Sequence, residues 1–164
     1  MNSTGNGKEP LPAGTGLVPR EARDLVGREI GPGEPITIHA NDVERFCRVI
    51  GEDNPVFWDE EAARQSVYGG RPMPLVFPLT RFAFGDERSF HVPLRATRRV
   101  RGEDELIVLK PIKVGDRIRA RTRLLDIQEK TGRTGPMVFL RFETEYVLDD
   151  GEVAMIVRTT IVRR

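Results

Sequence analysis

From Leu94 to Arg164 the chain is a succession of long segments in which apolar and polar residues alternate, separated by short turn signals. Successive side chains of a strand point to opposite faces, so a period of two sustained this far demands strands with one buried and one wet side. Strands are expected at Arg98–Leu109, Arg117–Glu129, Met137–Leu148 and Glu152–Arg163, with turns at Lys110–Asp116, Lys130–Gly135 and Asp149–Gly151. Asp150-Gly151 between alternating apolar residues is a strong hairpin signal, and strands joined this closely can pair only antiparallel. In the second strand Ile118, Ala120, Thr122 and Leu124 share one face and Arg117, Arg119, Arg121 and Arg123 the other. Glu143 and Glu145 on the next strand are placed to pair with those arginines, which makes the row a solvated face.

The preceding half is written in helical and turn signals. Met1–Gly16 is rich in Gly, Pro, Ser and Thr, lacks the apolar content to offset the entropy of ordering, and is expected to be a disordered tail before a single domain at 17–164. Pro35–His39 suits a short strand. Asn41, with Glu44 three residues on, reads as a capping box for a helix that Gly51 stops. On that helix Cys47 is in register with Val43, Phe46 and Ile50, the placement of a buried thiol rather than a nucleophile. Asp59 is placed to cap a short helix Glu60–Ser66, which Tyr68-Gly69-Gly70 ends. From Leu75 to Phe84 apolar residues occupy nearly every face, as in a helix buried on most sides, with Pro74 in its first turn. The fold class expected is α+β.

Composition removes several function classes. A length of 164 residues with 38% apolar and 31% charged side chains suits one soluble domain, and a net charge of +1 argues against nucleic acid and against an anionic membrane surface. No apolar run approaches the roughly 18 residues of a membrane span, so a cytoplasmic location is expected. One cysteine and two distant histidines leave no intrachain disulfide and no zinc-type cluster, hence no metal or cofactor. His39 and His91 read as structural or surface groups.

The segment Gly51-Glu52-Asp53-Asn54-Pro55-Val56-Phe57-Trp58-Asp59 resembles the G-D-x-N-P-x-H-x-D signature of the MaoC-like hydratases and dehydratases. Lys110-Pro111-Ile112-Lys113-Val114-Gly115-Asp116 is similar to that family's r-P-v-x-x-G-D. Leu25–Ile30 resembles its V-G-x-x entry, and the stretch around Pro72–Phe77 its A-P-P-T-F. The likeness runs from about Leu25 to Arg164 in the right order, and in particular to the FAS1-like N-terminal dehydratase branch. It implies a hot-dog fold, an antiparallel sheet wrapped around a central helix, acting on acyl thioesters.

In such enzymes the aspartate and histidine of the loop are the general acid/base pair; here those positions hold Glu52 and Phe57. The catalytic candidates are therefore Glu52 and Asp53. Substrate-binding candidates are Asn54, the glycines Gly69 and Gly70, and the amides of Leu75 and Val76. Dehydration needs a base for the α-proton and an acid for the departing hydroxyl, and phenylalanine serves as neither. The resemblance therefore points to a non-catalytic subunit of an (R)-specific enoyl-thioester hydratase or 3-hydroxyacyl-thioester dehydratase. Its partner would be a second hot-dog chain with an intact Asp/His loop, and its substrate an acyl-CoA or acyl carrier protein (ACP) thioester. A homodimeric dehydratase using Glu52 or Asp53, and a non-catalytic thioester-binding module, stand as alternatives. The arginine row has a second reading too, a grip on the phosphates of coenzyme A or on an acidic carrier. Trp58 suits either an acyl tunnel or the core.

Deleting Met1–Gly16 should leave the thermal midpoint within about one degree, against the several degrees that each kcal/mol shifts a domain of this size. Differential scanning calorimetry of the two chains checks this, and a clear drop would mean that the tail packs.

Overall fold

The structure, a computed structural model, describes residues 16–79 and 91–164. The tail expected at 1–16 lies outside the described residues but for Gly16. Two short strands, β1 (Glu29–Pro32) and β2 (Ile36–Thr37), precede four longer ones: β3 (Arg99–Val108), β4 (Arg117–Gly132), β5 (Gly135–Leu148) and β6 (Val153–Arg163). They form one antiparallel sheet in the order β1-β4-β5-β6-β3, with β2 also pairing β4. The four long strands lie within a few residues of the spans that alternation predicts. The largest difference is at Lys130–Gly135. The β4–β5 ladder continues to Gly132 opposite Gly135, because Gly135 adopts a left-handed φ of 114° that tightens the turn. At the other hairpin Gly151 takes φ 88° and Asp150 accepts a bond from the Glu152 amide, so the Asp-Gly signal is realised as expected.

Alternation also sets the faces. Ile118, Thr122 and Leu124 are buried, and the arginines between them face outward. A bulge between Leu124 and Asp126 resets the period, so that Leu124 and Ile127 both face the core. Arg121 bonds Glu145 at 2.8 Å, as the pairing expectation required, whereas Glu143, opposite Arg123, is bonded by Arg158 from β6 at 2.9 Å.

The helix α2 (Ala40–Ile50) supplies Val43 and Cys47, both fully buried, to one end of the inner face, where they meet Ile118, Tyr146, Met155 and Val157. Burial pushes the Cys47 thiol up, with Glu52 adding to the effect, which leaves a protonated core side chain. At the other end Leu124, Val138, Leu140, Phe142 and Ile161 are covered by the chain around the short helix α1 (Arg20–Arg23), through Val18 and Ala22.

Two local expectations are corrected. The cap of α2 is His39, with no side-chain bond to the helix, so Asn41 lies inside the first turn and the capping-box position falls on Asp42; Glu44, further along the helix, bonds Arg71 instead. The central helix expected from Leu75 is not helical in its described part. Leu75 and Val76 sit in an exposed turn, and Phe77–Leu79 is a single 3₁₀ turn around Pro78. Residues 80–84 of that expectation lie outside the described residues. Among the described residues no helix is long and apolar enough to cross a membrane.

Phe142 is 1% exposed and stands in the centre of its cluster. Truncating Phe142→Ala should cost about 3–5 kcal/mol, whereas Val67→Ala, on a side chain 95% exposed, should stay within about 0.5 kcal/mol. Urea titration followed by circular dichroism separates the two.

Candidate functional site

The loop after α2 is held by its own polar groups. Gly51 ends the helix in the left-handed region at φ 71°, and the amides of Gly51 and Glu52 both reach the Cys47 carbonyl. The Glu52 carboxylate accepts from the Asn54 amide at 3.0 Å, and Asn54 Oδ1 accepts from the Val56 amide at 3.1 Å. Trp58 Nε1 donates to the Glu52 carbonyl at 3.0 Å. Pro55–Phe57 is thereby wound into one 3₁₀ turn, and Asp59 caps the next helix, α3 (Glu60–Gln65), through the Ala62 amide at 2.7 Å. Glu52 and Asn54 thus shape the loop, while Asp53 is exposed.

The fold adds a residue that the sequence reading passed over. Arg71 is only 7% exposed, and its guanidinium donates from both Nε and Nη2 to the Phe57 carbonyl, at 3.1 and 2.8 Å. Nη2 also bonds Glu44 at 3.0 Å, and Glu60 stands 3.9 Å from Nη1. The planar fork suits a carbonyl and a carboxylate at once, which a lysine cannot reproduce. The available signal was a charged residue, Arg71, opening an apolar run after Gly69-Gly70.

The segment carrying Arg71 is zipped to the Lys110–Asp116 turn. Val114 donates to the Arg71 carbonyl and Met73 to the Ile112 carbonyl, while Ile38 and the turn exchange bonds through Asp116 and Gly115. The Asp116 carboxylate closes that turn on the Lys113 amide at 2.7 Å, with Gly115 at φ 94°. These contacts seat the loop against the strand ends.

Between them lies an apolar cavity of about 150 Å³ lined by Phe57, Met73, Leu75, Leu109, Ile112 and Met155 among others. Of the predicted site residues, Phe57 and Leu75 line it. Gly69, at φ 63°, and Gly70 stand next to Tyr68 at its edge, and a Cβ on Gly70 would lie 3.4 Å from the Lys113 side chain. Val76, Glu52, Asp53 and Asn54 are not in the wall. Its charged group is Lys110, paired with Glu152 and with Asp150 at 3.7 Å. Tyr146 is buried nearby in the core, its hydroxyl 3.5 Å from the Pro78 carbonyl, and burial pushes its pKa up, so it stays neutral. A second opening, at the start of α2, brings His39 and Asp42 beside Phe77. Among the described residues no group of three metal-ligating side chains gathers.

Comparison with known proteins agrees with this architecture. Residues 24–157 match the family described as FAS1-like, dehydratase domain region. Curated relatives include a UPF0336 protein of Mycobacterium leprae, 30% identical over 71% of this chain and 70% of its own length. Another, from Thermobifida fusca, is 26% identical over 87% and 93%. Solved structures of the same fold include the C-terminally truncated HadBC (3R-hydroxyacyl-ACP dehydratase) complex of Mycobacterium tuberculosis, with a TM-score of 0.71 and 24% identity over 85% of this chain and 97% of that one. The unliganded R-hydratase PhaJ1 of Pseudomonas aeruginosa superposes with a TM-score of 0.65 and 18% identity over 86% and 83%.

Replacing Arg71 by methionine leaves the Phe57 carbonyl and Glu44 without their donor, and should cost on the order of 3 kcal/mol. Arg71→Lys should recover only part of this, because one ammonium cannot serve both acceptors with the same geometry. Chemical denaturation of the two variants checks the order.

Proposed function

The chain belongs to the FAS1-like dehydratase-region family, and we propose that it is a non-catalytic hot-dog subunit of an (R)-specific enoyl-thioester hydratase or 3-hydroxyacyl-thioester dehydratase. The observation that carries this reading is the phenyl ring of Phe57 in the wall of the cavity, at the position where the family resemblance sets a histidine. A base must take the α-proton and an acid must protonate the leaving hydroxyl, and Phe57 does neither. Glu52 turns its carboxylate to the Asn54 amide instead of to the cavity, which favours a loop kept for shape.

The partner would be a second hot-dog chain bearing the aspartate and histidine, with this chain lending apolar wall to the acyl segment of a CoA or carrier-protein thioester. Support comes from the fold neighbours, which include the HadBC complex and the ChsH1-ChsH2 complex of Mycobacterium tuberculosis. One observation favours a second reading. His39 and Asp42 share an opening with Phe77, so an acid/base pair at that place would make the chain a dehydratase in its own right.

The isolated protein should hydrate a short enoyl-CoA at no more than a trace rate, since loss of a general acid/base forfeits about 10²–10⁴-fold. Adding a hot-dog chain with the intact loop should give a stable complex and restore turnover, followed by the loss of enoyl absorbance. Turnover should then vanish with the partner's histidine and change far less with Glu52→Gln or Asp53→Asn here. Robust turnover by the isolated chain, abolished by His39→Ala, Glu52→Gln or Asp53→Asn, would sink this proposal.

A further inference from the structure

The cavity beside the loop is graded from an open side to a closed one. Tyr68, Leu75 and Leu109 line it and are exposed, Leu75 and Leu109 by more than half, so the hollow meets solvent between them. Met73, Ile112 and Met155 also line it and none is more than 4% exposed, so they close its inner side. Behind them the molecule is filled. Met155 stands directly across the sheet from Tyr146, which is fully buried, and all four side chains belong to one packed cluster.

The frame of the cavity is held by hydrogen bonds to the backbone. The Met73 amide donates to the Ile112 carbonyl at 2.7 Å, and the Phe57 carbonyl is gripped twice by Arg71. Protein interiors seldom leave voids larger than a water molecule, and an apolar hollow offers water few partners. A cavity of about 150 Å³ on a fixed frame therefore suits an apolar ligand, and its volume states how large that ligand is. A hollow of this size lined by aliphatic and aromatic side chains holds a benzene molecule, about six carbon atoms.

We infer that this chain limits the acyl group of the thioester to a short one, about six carbons long, and that Met73, Ile112 and Met155 set the limit. The inference rests on the proposed function in taking an acyl thioester as substrate, and it names which acyl groups the site accepts. The tail enters between Leu75 and Leu109, and its end meets the methionine side chains. Each methylene that leaves water for the cavity gains about fourfold in affinity until the closed side is reached. A longer tail has either to displace Met155 from its place beside Tyr146 or to leave its remaining carbons in water, and neither adds affinity.

The test measures kcat/KM for trans-2-enoyl-CoAs from butenoyl through hexenoyl and octenoyl to dodecenoyl, with the complex of this chain and a hot-dog partner bearing the intact loop. The value should rise roughly tenfold from butenoyl to hexenoyl and fall at least about tenfold by dodecenoyl. Because the partner lends wall of its own, the decisive reading is the shift caused by changes in this chain. Met155→Ala should move the optimum to octenoyl or longer, and Leu75→Trp, which crowds the open side, should move it to butenoyl. Val49→Ala, exposed and outside the cavity, should leave the profile as it is. A loss of stability lowers turnover at every chain length alike, so it does not shift the profile. Should Met155→Ala fail to fold, Leu75→Trp decides alone, since it changes an exposed side chain. A preference for dodecenoyl in the unaltered complex, or a profile unmoved by the cavity variants that fold, overturns the inference and leaves the functional reading standing. If no enoyl-CoA of any length is turned over, both fail.

Discussion

The guanidinium of Arg71 is the interaction around which this end of the molecule is organised. A charge this deeply buried is tolerable only with its hydrogen bonds made, and it finds them on three separate pieces of chain: the Phe57 carbonyl, Glu44 of α2 and, at longer range, Glu60 of α3. Because the backbone from Arg71 to Met73 is zipped to the Lys110–Asp116 turn, the same residue fastens the loop to the sheet.

With the loop clamped in this way, its two kinds of residue part company. The polar ones, Glu52, Asn54 and Asp59, bond to amides close by in sequence and define the turn. Of its two aromatics, Trp58 bonds the Glu52 carbonyl and Phe57 lines the cavity together with Met73 and Leu75. Such a wall can hold an apolar segment and exclude water, and its charged group, Lys110, is tied to Glu152 and Asp150.

The sheet divides its labour by face. Its inner side carries two apolar clusters, one beneath α2 and one beneath α1, with the hydroxyls of Thr122 and Thr144 paired at 2.9 Å between strands. Its outer side is a lattice of alternating charges, each pair worth little in water but together setting register against slippage.

Much of the fold was legible because it depends on local periodicity. Alternation located the four long strands, Asp150-Gly151 located a hairpin, and Gly51 located the end of α2, since each is a property of a few adjacent residues. The loop around Asn54 and Asp59 could also be read, because their bonds reach only two or three residues along the chain. What could not be read depended on residues far apart in sequence. Arg71 and Glu44 are separated by 27 positions, and no local pattern announces that one will bury its charge on the other. The run from Leu75 looked helical by composition, yet its described part is a turn, because the zipper to Ile112 and the ring of Pro78 set its backbone instead. The sequence by itself therefore determined the strands, their faces and the absence of a histidine from the loop; only the tertiary structure decided that Phe57 reaches the cavity wall and that Arg71 buries its charge, because both follow from long-range packing around buried partners.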